Sequence, residues 1–267
     1  IVTEIIAIAA KIGLHVMAVT SDMGSGNRAM WKAFGIESTR KELRNKIPHP
    51  LVPDKNLYFL ADVPHLYKNI KASLVNSNIF TVPAAIESTF SLTSPTVSYE
   101  PVRELAEFQS SDLKLAPKLT AELLSPSHFK KMKVGNARHV LSHDVSAALH
   151  YLVDNGKQDE ATRTTAWFIE TMNKWFQLMT SRHPLLALSK MNESKFIEAM
   201  DFLKMVLQLF HGLSIGNGAW KPIQAGVRLT TTSMMEMAEE LLSSGLKFFL
   251  TARESQDCLE NLFSVVR

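Results

Sequence analysis

The sequence holds a single cysteine, Cys258, among its 267 residues. One thiol cannot form an internal disulfide bond, and it cannot supply a zinc site built from several cysteines. Disulfide frameworks belong to oxidising environments, so their exclusion favours a reducing one. We therefore expect this protein to work in the cytosol or the nucleus.

The sequence also lacks long apolar runs and a strong excess of charge of either sign. No stretch approaches the ~18 consecutive apolar residues of a membrane-spanning helix, so we predict no membrane partner. Lys and Arg number 29 against 26 Asp and Glu, and the formal net charge of +3 neither requires nor excludes nucleic acid. With 11 glycines and 11 prolines, the sequence is neither collagen-like nor a proline-rich linker.

What is present is the composition of a globular protein. Hydrophobic residues make up 46% and charged residues 21%, which is enough apolar material for a sizeable core. The length fits one large domain or two ordinary ones. Because the chain starts at Ile1 rather than at a methionine and stops at Arg267 inside an amphipathic pattern, we expect it to be part of a longer protein.

The hydrophobic pattern divides the chain into three segments. Residues 1–75 alternate between helices, predicted at 3–14, 27–34 and 64–74, and strands, predicted at 15–20 and 57–61. Residues 76–245 open with a Ser/Thr/Pro-rich loop and then show only helical periodicity, at 101–110, 127–154, 161–181, 192–213 and 231–243. Residues 246–267 return to a strand at 247–250 and a helix from 255. This order predicts one α/β domain interrupted by a large all-helical insertion.

The first motif is SDMGSGNRAMW at residues 21–31, where an aspartate and two glycines join a strand to a helix. Gly24 and Gly26 fit the loose pattern G-x-G-x-x-A of dinucleotide-binding folds, in which a helix N-terminus binds a pyrophosphate. Asp22 argues against that use, because a carboxylate at the strand end repels a phosphate unless a metal ion lies between them. A simpler alternative is that Asp22 caps the turn and the glycines only permit it.

Two further motifs place acids directly after predicted strands. ADVPHLYKNIK at 61–71 ends a strand with Asp62, which on its own is better explained as a helix N-cap. RESQDCLENLFSVVR at 253–267 puts Asp257 and Glu260 on one helix face by their i, i+3 spacing, although acids are also routine in a first helical turn. Carboxylates from neighbouring strand ends converge at one edge of a sheet. Such a set is what a pair of Mg²⁺ ions needs for phosphoryl transfer.

Other side chains favour packing over chemistry. The terminal helix carries an apolar stripe that we predict packs on the sheet, made of Leu259, Leu262, Phe263 and Val266. Three histidines fall on one face of a predicted helix without the further ligand of a zinc motif, so we interpret them as helix-face residues: His139, His143 and His150. Four aromatic residues fit the core side of another helix better than a platform for stacking bases: Trp167, Phe168, Trp175 and Phe176.

Taken together and in this order, the three motifs resemble the transposases of the P-element family and their vertebrate relatives, the THAP-domain transposase-like proteins. The matching stretches are SDMGSGNRAMW, FLADVPHLYKNIK and SQDCLENLFSVVR, and Met172 to Phe176 adds an M-N-x-W-F pattern. The resemblance spans nearly the whole chain. It rests on the combination, because each motif alone is unspecific.

The resemblance implies an RNase H-like catalytic core with an Asp-Asp-Glu triad that binds Mg²⁺ or Mn²⁺. Asp22 matches the second catalytic aspartate and Glu260 the catalytic glutamate, so both are implied metal ligands. Asp257 matches an acid beside the glutamate, whereas Asp62 lies in a family motif without being a triad member. The first aspartate and the DNA-end-binding THAP zinc domain are expected before Ile1.

The resemblance also implies that the helical insertion binds GTP as a cofactor for DNA strand transfer. Lys118 and Val134 match nucleotide-contacting positions, and the basic run at 129–134 could face phosphates, although most lysines lie on solvated faces. Where the family reads guanine with an aspartate, this chain has Gln177. An amide cannot accept two N–H bonds from guanine as a carboxylate can, which weakens the expectation that GTP is used.

These features predict part of the catalytic region of a cut-and-paste DNA transposase. We expect a nuclear protein that acts on transposon ends and target DNA and forms a homo-oligomer when complete. Two alternatives stay open. One is a host-adopted descendant that keeps the fold and associates with DNA without catalysis, and the intact Asp22 and Glu260 argue mildly against it. The other is a nucleotide-binding α/β enzyme with Gly24 and Gly26 in its phosphate loop.

Overall fold

The computed structural model describes residues 1–76, 79–109, 114–120, 123 and 134–266. The chain forms two compact units, each assembled from separate stretches. Unit 1 consists of Ile1–Val63, Met179–Asp201 and Gln224–Arg267, and unit 2 of Pro64–Leu178 and Phe202–Ile223. These units are not bounded like the segments 1–75, 76–245 and 246–267, because 179–201 and 224–245 pack within unit 1. The assignment of 76–245 as an insertion stays a prediction.

The elements follow one another as short strands between longer helices. The helices among the described residues are α1 (Val2–Lys11), α2 (Ser25–Ala33), α3 (Val63–Val75), α4 (Ala84–Thr89), α5 (Glu100–Phe108), α6 (Val134–Val140), α7 (His143–Asp154), α8 (Thr162–Met179), α9 (Glu193–Gly212), α10 (Pro222–Ser243) and α11 (Asp257–Val266). The strands are β1 (Ala18–Ser21), β2 (Glu37–Ser38), β3 (Leu43–Arg44), β4 (Lys46–Pro48), β5 (Asn56–Ala61), β6 (Phe80–Thr81), β7 (Thr96–Val97) and β8 (Ser214–Ile215). Short 3₁₀ helices lie at Pro184–Leu186 and Thr251–Glu254.

Unit 1 is built around β5, which has β1 as a parallel neighbour and β4 as an antiparallel one. From Leu57 to Ala61 every residue of β5 is buried, with at most 2% of its surface exposed. A continuous buried apolar run of this kind is typical of a strand covered on both faces. The register places Ala18 beside Tyr58 and Ser21 beside Ala61, so β1 and β5 end level with each other.

Helix α10 is tied to the end of β5 by two hydroxyl groups. Thr230 Oγ1 donates to the Ala61 carbonyl at 2.9 Å and accepts from the Ala61 N–H at 2.8 Å. Ser233 Oγ donates to the Phe59 carbonyl at 2.7 Å. These bonds satisfy buried backbone groups of the strand, and they fix the strand end from which Asp62 follows.

Unit 2 is mostly helical, with α5 packed against α7 and a small sheet in the order β7-β6-β8. Phe168 and Trp175 of α8 are fully buried, and Phe168 meets Phe80 of β6 edge to face with ring centroids 5.5 Å apart. Phe176 is 8% exposed. The predicted core side of α8 is therefore confirmed for Phe168, Trp175 and Phe176.

The segment predicted to be an all-helical insertion also contains strands, so that part of the prediction is wrong. Strands β6 and β7 and helix α4 lie within the Ser/Thr/Pro-rich opening of this segment, which was expected to be mostly loop, and β8 follows α9. The predicted helix at 127–154 is broken within its described part. The first piece, α6, ends at Val140, and Ser142 caps α7, because its Oγ accepts a hydrogen bond from the Val145 N–H at 3.3 Å.

The predicted strand at 247–250 is also wrong. Phe249 makes only an isolated bridge with Leu188, and the chain then enters the 3₁₀ helix at Thr251–Glu254. A strand needs a neighbour along several residues, and a single pairing cannot extend into one. Helix α10, by contrast, begins at Pro222 rather than at 231. None of the helices in the described part of the chain is long and apolar enough to cross a membrane.

Candidate functional site

Asp22 directly follows β1, and its carboxylate is held by the glycine turn after the strand. Its Oδ1 accepts hydrogen bonds from the Gly24 N–H and from Asn27 Nδ2, both at 2.7 Å. The side chain is only partly exposed. This is the turn cap suggested by the sequence, and it also fixes the direction in which the carboxylate points.

The two glycines of the first motif play different roles. A Cβ on Gly24 would lie 2.8 Å from Asp22 Oδ1, whereas a Cβ on Gly26 would meet nothing within 4 Å. The Gly24 N–H already donates to the Asp22 carboxylate. The negative charge of that carboxylate would repel a phosphate bound at the same N–H. The geometry therefore disfavours the phosphate-loop interpretation of Gly24 and Gly26.

Asp62 directly follows β5, and it joins the second motif to the third. Its N–H donates to the Ser21 carbonyl at 2.9 Å, and its Oδ1 accepts from the Gln256 N–H at 2.9 Å. Asp62 is 1% exposed and the bond is partly buried. Leaving a buried polar group without its partner costs about 1–3 kcal/mol. Asp62 thereby holds the chain at the residue that precedes α11.

Thr20 supplies a second link to the same stretch of chain. Its Oγ1 donates to the Glu254 carbonyl at 3.0 Å. Burial raises the pKa of the Glu254 carboxyl, because removal from water disfavours its charged form. The stretch before α11 is therefore fastened at two points, to β1 through Thr20 and to the end of β5 through Asp62.

This fastening brings the three motifs together at one edge of the sheet. Helix α11 begins at Asp257, and the Glu260 N–H donates to the Gln256 carbonyl at 3.0 Å. Glu260 thus follows within one helical turn of the residue that Asp62 holds, and its side chain is exposed. The backbone of the three segments meets at this edge, whereas the convergence of the Asp22, Asp257 and Glu260 carboxylates stays a prediction.

Asp257 is in an ion pair with Arg182, at 2.5 Å between Asp257 Oδ2 and the guanidinium. The Arg182 side chain is 75% exposed and that of Asp257 34%. Exposed pairs contribute only about 0–1 kcal/mol to stability, because water screens the charges. The contact orients both side chains at the start of α11 more than it stabilises the fold.

The side chains of these acids are chemically suitable ligands for a hard cation, but too few of them are present in the described part of the chain to complete a metal site. Carboxylate oxygens are the ligands that Mg²⁺ and Mn²⁺ prefer, and Asp22 and Glu260 both reach solvent. Over the described residues, no group of three or more His, Cys, Asp and Glu side chains is placed to hold a metal ion. Two carboxylates do not complete a two-metal site, so further ligands have to come from elsewhere.

The apolar stripe of α11 does not pack as predicted. Its residues are 53–76% exposed, namely Leu259, Leu262, Phe263 and Val266. The helix is held at its start through the backbone of Gln256, and its apolar side is left open to solvent. The expectation that this stripe packs on the sheet is therefore wrong for this chain.

The residues expected to contact a nucleotide belong to unit 2 and lie on separate elements. Lys118 is exposed in a turn, Val134 begins α6, and Gln177 is exposed on α8. Gln177 Nε2 donates to Asn173 Oδ1 at 3.3 Å, one turn earlier on the same helix. Residues 129–133 of the basic run lie outside the described residues.

Gln109 positions the turn that carries Lys118. Its Oε1 accepts from the Ala116 N–H at 2.9 Å, and its Nε2 donates to the carbonyls of Ala116 and Leu119 at 3.0 and 2.7 Å. Gln109 is 3% exposed. A buried side-chain amide that bonds three backbone groups holds a loop in place, as a short pairing of strands does. No local sequence pattern would have identified Gln109 as the residue with this role.

The second motif meets the M-N-x-W-F stretch inside unit 2. The Tyr67 ring stacks on Phe176 with centroids 4.2 Å apart, and its hydroxyl donates to the Leu141 carbonyl. Burial raises the pKa of Tyr67, which keeps the hydroxyl a neutral donor. These motif residues therefore build the core of unit 2.

Unit 2 also contains a cavity of about 500 Å³ whose walls include none of Lys118, Val134 and Gln177. Trp167 lines it and lies against Phe90 with ring centroids 5.2 Å apart, so the prediction of Trp167 as a core residue is wrong. Trp167 is half-buried because its ring forms part of the wall of this cavity.

The histidines that were predicted to share one helix face are divided between α6 and α7. His139 is on α6, whereas His143 and His150 are on α7 and line the same cavity. His143 Nδ1 lies 3.0 Å from Glu170 Oε2. Burial is the main cause that lowers the pKa of His150, and the nearby Arg163 lowers it further. The histidines thus take part in packing and surface pairing within unit 2.

The chain is similar to transposases in sequence and in fold. Residues 78–194 match the family model described as the TNP-like, GTP-binding insertion domain. The Transposable element P transposase of Drosophila melanogaster is 24% identical over 267 aligned residues, which cover 96% of this chain and 33% of that protein. The resemblance to P-element-type transposases is thus confirmed.

A solved structure shares the fold. In the Drosophila P element transposase strand transfer complex, one chain superposes with a TM-score of 0.81 at 21% identity, covering 99% of this chain and 57% of that chain. An α/β arrangement with a large helical part is therefore shared with that transposase. This chain spans about a third of the length of the curated relative.

Proposed function

We propose that this chain is part of the catalytic region of a cut-and-paste DNA transposase with an RNase H-like core. The complete protein would be nuclear and oligomeric, would recognise transposon ends through a module outside this chain, and would cut and join DNA. The observation that supports the proposal is the Asp62–Gln256 hydrogen bond, which joins the residue before α11 to the end of β5, next to the end of β1 that precedes Asp22. The similarity to the Drosophila transposase over nearly the whole chain supports it.

In this proposal Asp22 and Glu260 hold Mg²⁺ or Mn²⁺ together with a third carboxylate from elsewhere in the complete protein. When bound, such a cation polarises the attacked phosphate and activates the attacking oxygen. Asp22 contributes an acid that Gly24 and Asn27 hold in a fixed direction. Asp257 keeps its partner Arg182 beside the start of α11.

The direct test is DNA cleavage by the complete protein with a transposon-end duplex in the presence of Mg²⁺. Asp22→Ala and Glu260→Ala should each abolish cleavage while leaving DNA binding nearly intact, because Glu260 is exposed and the Asp22 carboxylate bonds to the turn that follows it rather than to the core. Glu37→Ala removes an exposed acid of β2 and serves as the control. Cleavage at wild-type rate by either active-site variant would remove Asp22 or Glu260 from the mechanism.

The same assay separates the second candidate function, that of a host-adopted DNA-binding protein without catalysis. Among the described residues no three-ligand acidic group occurs, which fits this candidate and equally fits a third carboxylate supplied from elsewhere in the complete protein, so the assay decides between the two. A complete wild-type protein that binds the duplex but does not cleave it with either Mg²⁺ or Mn²⁺ would establish this alternative.

For unit 2 we propose nucleotide binding with little preference for guanine. The matching family model supports a nucleotide site, and Gln177 stands where a carboxylate would be needed to accept two guanine N–H bonds. Titration with GTP and ATP should give similar affinities for the wild type. Gln177→Asp should raise the preference for GTP over ATP, whereas Lys118→Ala should lower the affinity for both nucleotides alike. If Gln177→Asp kept the same ratio of GTP to ATP affinity as the wild type, the role of Gln177 would be rejected.

A further inference from the structure

Beside the acidic edge, unit 1 contains a cleft of about 260 Å³ at the start of α11. Its walls include two arginines, Arg182 and Arg253, together with Asp257, Cys258 and Asn261. Pockets for drug-sized ligands measure about 300–1,000 Å³, so this cleft suits a chemical group rather than a whole nucleotide. It contains one carboxylate against two guanidinium groups, and this excess of positive charge favours an anion.

The arginines are arranged for an anion with several oxygens. A guanidinium offers five N–H donors in a rigid fork, and the contact with Asp257 uses one side of Arg182. Because Asp257 fixes Arg182 in place, less side-chain entropy is lost when a further oxygen binds. Arg253 is exposed, lines the same cleft and belongs to the 3₁₀ helix that leads to α11.

The cleft also lies at the N-terminus of a ten-residue helix, whose dipole adds a modest attraction for anions. Residues of the first turn of α11 form part of its wall, and the same turn carries Glu260. A phosphate in the cleft would therefore lie next to the acidic edge. Consecutive phosphates of one DNA strand are only about 3.4 Å apart along the duplex axis, so one strand can serve both places.

We infer that this arginine cleft, formed by Arg182 and Arg253 at the start of α11, binds a backbone phosphate of the DNA strand that runs past Asp22 and Glu260. The inference rests on the proposed function, because it takes DNA to be the substrate at that edge. The cleft contacts the strand through its phosphate and reads no base, so it contributes affinity and register rather than sequence specificity.

Cys258 makes the inference testable, since it is the single cysteine of the sequence, is exposed, and lines the cleft. The experiment measures the rate at which a maleimide dye labels Cys258, with and without a DNA duplex, while fluorescence anisotropy of a labelled duplex reports total DNA binding. A bound strand should slow labelling at least fivefold at low salt, and the protection should fade as salt is raised, because phosphate contacts release counterions.

Arg253→Ala should remove most of the protection and weaken the phosphate contact. With a salt slope of about −0.9 per neutralised phosphate, losing one contact lowers DNA affinity about eightfold at 0.1 M salt. Arg182→Lys keeps the charge but not the fork, so it should retain part of the protection. Arg44→Ala removes an exposed arginine of β3 that does not line the cleft, and it should leave both measurements unchanged. The labelling rate of each variant without DNA checks that Cys258 itself is undisturbed.

The possible results separate this inference from the proposed function. DNA binding by anisotropy without protection of Cys258, or equal protection in Arg253→Ala, would overturn the cleft while leaving the transposase proposal intact. Absence of DNA binding by this chain at low salt would overturn the cleft as a DNA contact, whereas the transposase proposal is tested by DNA cleavage with the complete protein. Equal protection by inorganic triphosphate at the same phosphate concentration would mean a site for small anions and would reject the DNA strand as its ligand.

Discussion

Replacing Asp62 tests how the site is assembled. Its buried carboxylate accepts the Gln256 N–H at 2.9 Å, and Asp62→Ala leaves this N–H without its acceptor at the entry to α11. Hydrogen bonds to charged groups contribute about 1.5–3 kcal/mol, and partial burial of this bond limits how well water replaces the lost partner. We expect Asp62→Ala to destabilise the anchoring of α11 by about 2 kcal/mol, and Asp62→Asn to cost less because the amide oxygen can still accept.

Hydrogen exchange measures this local effect more directly than global unfolding. A loss of about 2 kcal/mol corresponds to roughly 30-fold faster exchange, since 1.4 kcal/mol is a factor of ten. This increase should be confined to the amides of α11 and the residues just before it. Thr20→Val, which removes the hydrogen bond to the Glu254 carbonyl, should give a smaller increase at the same place.

Two controls make the result decisive. Glu37→Ala removes an exposed carboxylate of unit 1 and should leave exchange in α11 unchanged. Amides of α8 in unit 2 should exchange at wild-type rates in every variant. If α11 in Asp62→Ala exchanged as slowly as in the wild type, Asp62 would not be the residue that anchors the helix.

Three further predictions concern single side chains. Gly24→Ala should displace the Asp22 carboxylate and lower DNA cleavage by the complete protein, whereas Gly26→Ala should keep cleavage and stabilise α2 by up to about 1 kcal/mol, because alanine is the better helix former. Tyr67→Phe should lower the free energy of unfolding by about 1–2 kcal/mol, measured in urea, because a buried carbonyl loses its donor. The lowered pKa of His150 means that the folded state resists protonation, so stability is full above the unfolded pKa near 6.5 and falls as the pH drops below it. The melting temperature of His150→Gln should accordingly fall less than that of the wild type between pH 7.5 and 5.5.

Each of these predictions has a result that would contradict it. Equal loss of cleavage in Gly24→Ala and Gly26→Ala would favour a glycine-rich phosphate loop over a turn that orients a carboxylate. Tyr151→Phe is the matched control for Tyr67→Phe, because Tyr151 is 52% exposed. If both substitutions lowered the free energy of unfolding equally, the buried hydrogen bond of Tyr67 would not contribute to stability. Parallel melting curves for the wild type and His150→Gln would show that His150 does not titrate differently on folding.

The local sequence was sufficient to locate the elements of the acidic edge. The apolar runs that end at Ser21 and Ala61 are strands, and each is followed at once by an aspartate and a helix. Such predictions succeed because a buried strand, a turn and a helix start are set by residues that are neighbours along the chain. The resemblance to P-element-type transposases rested on the same local motifs.

The contacts that assemble the site were beyond local patterns. Asp62 directly precedes α3, where an N-cap residue lies, and it also accepts a hydrogen bond from Gln256, which is 194 positions away in sequence. Arg182 had no role in any motif, yet it pairs with Asp257 across 75 positions. No periodicity encodes a partner at such a distance, because the partner is chosen by how elements pack.

The sequence by itself therefore determined which residue types end the strands and which helix carries the third acid, since those features depend on short stretches of chain. Tertiary structure alone decided that Asp62 anchors α11, that Arg182 and Arg253 share a cleft, and that the apolar stripe of α11 stays exposed. The physical reason is that burial and hydrogen bonding depend on which distant segment reaches a position. An amphipathic pattern shows that a helix has an apolar side without showing what, if anything, covers it.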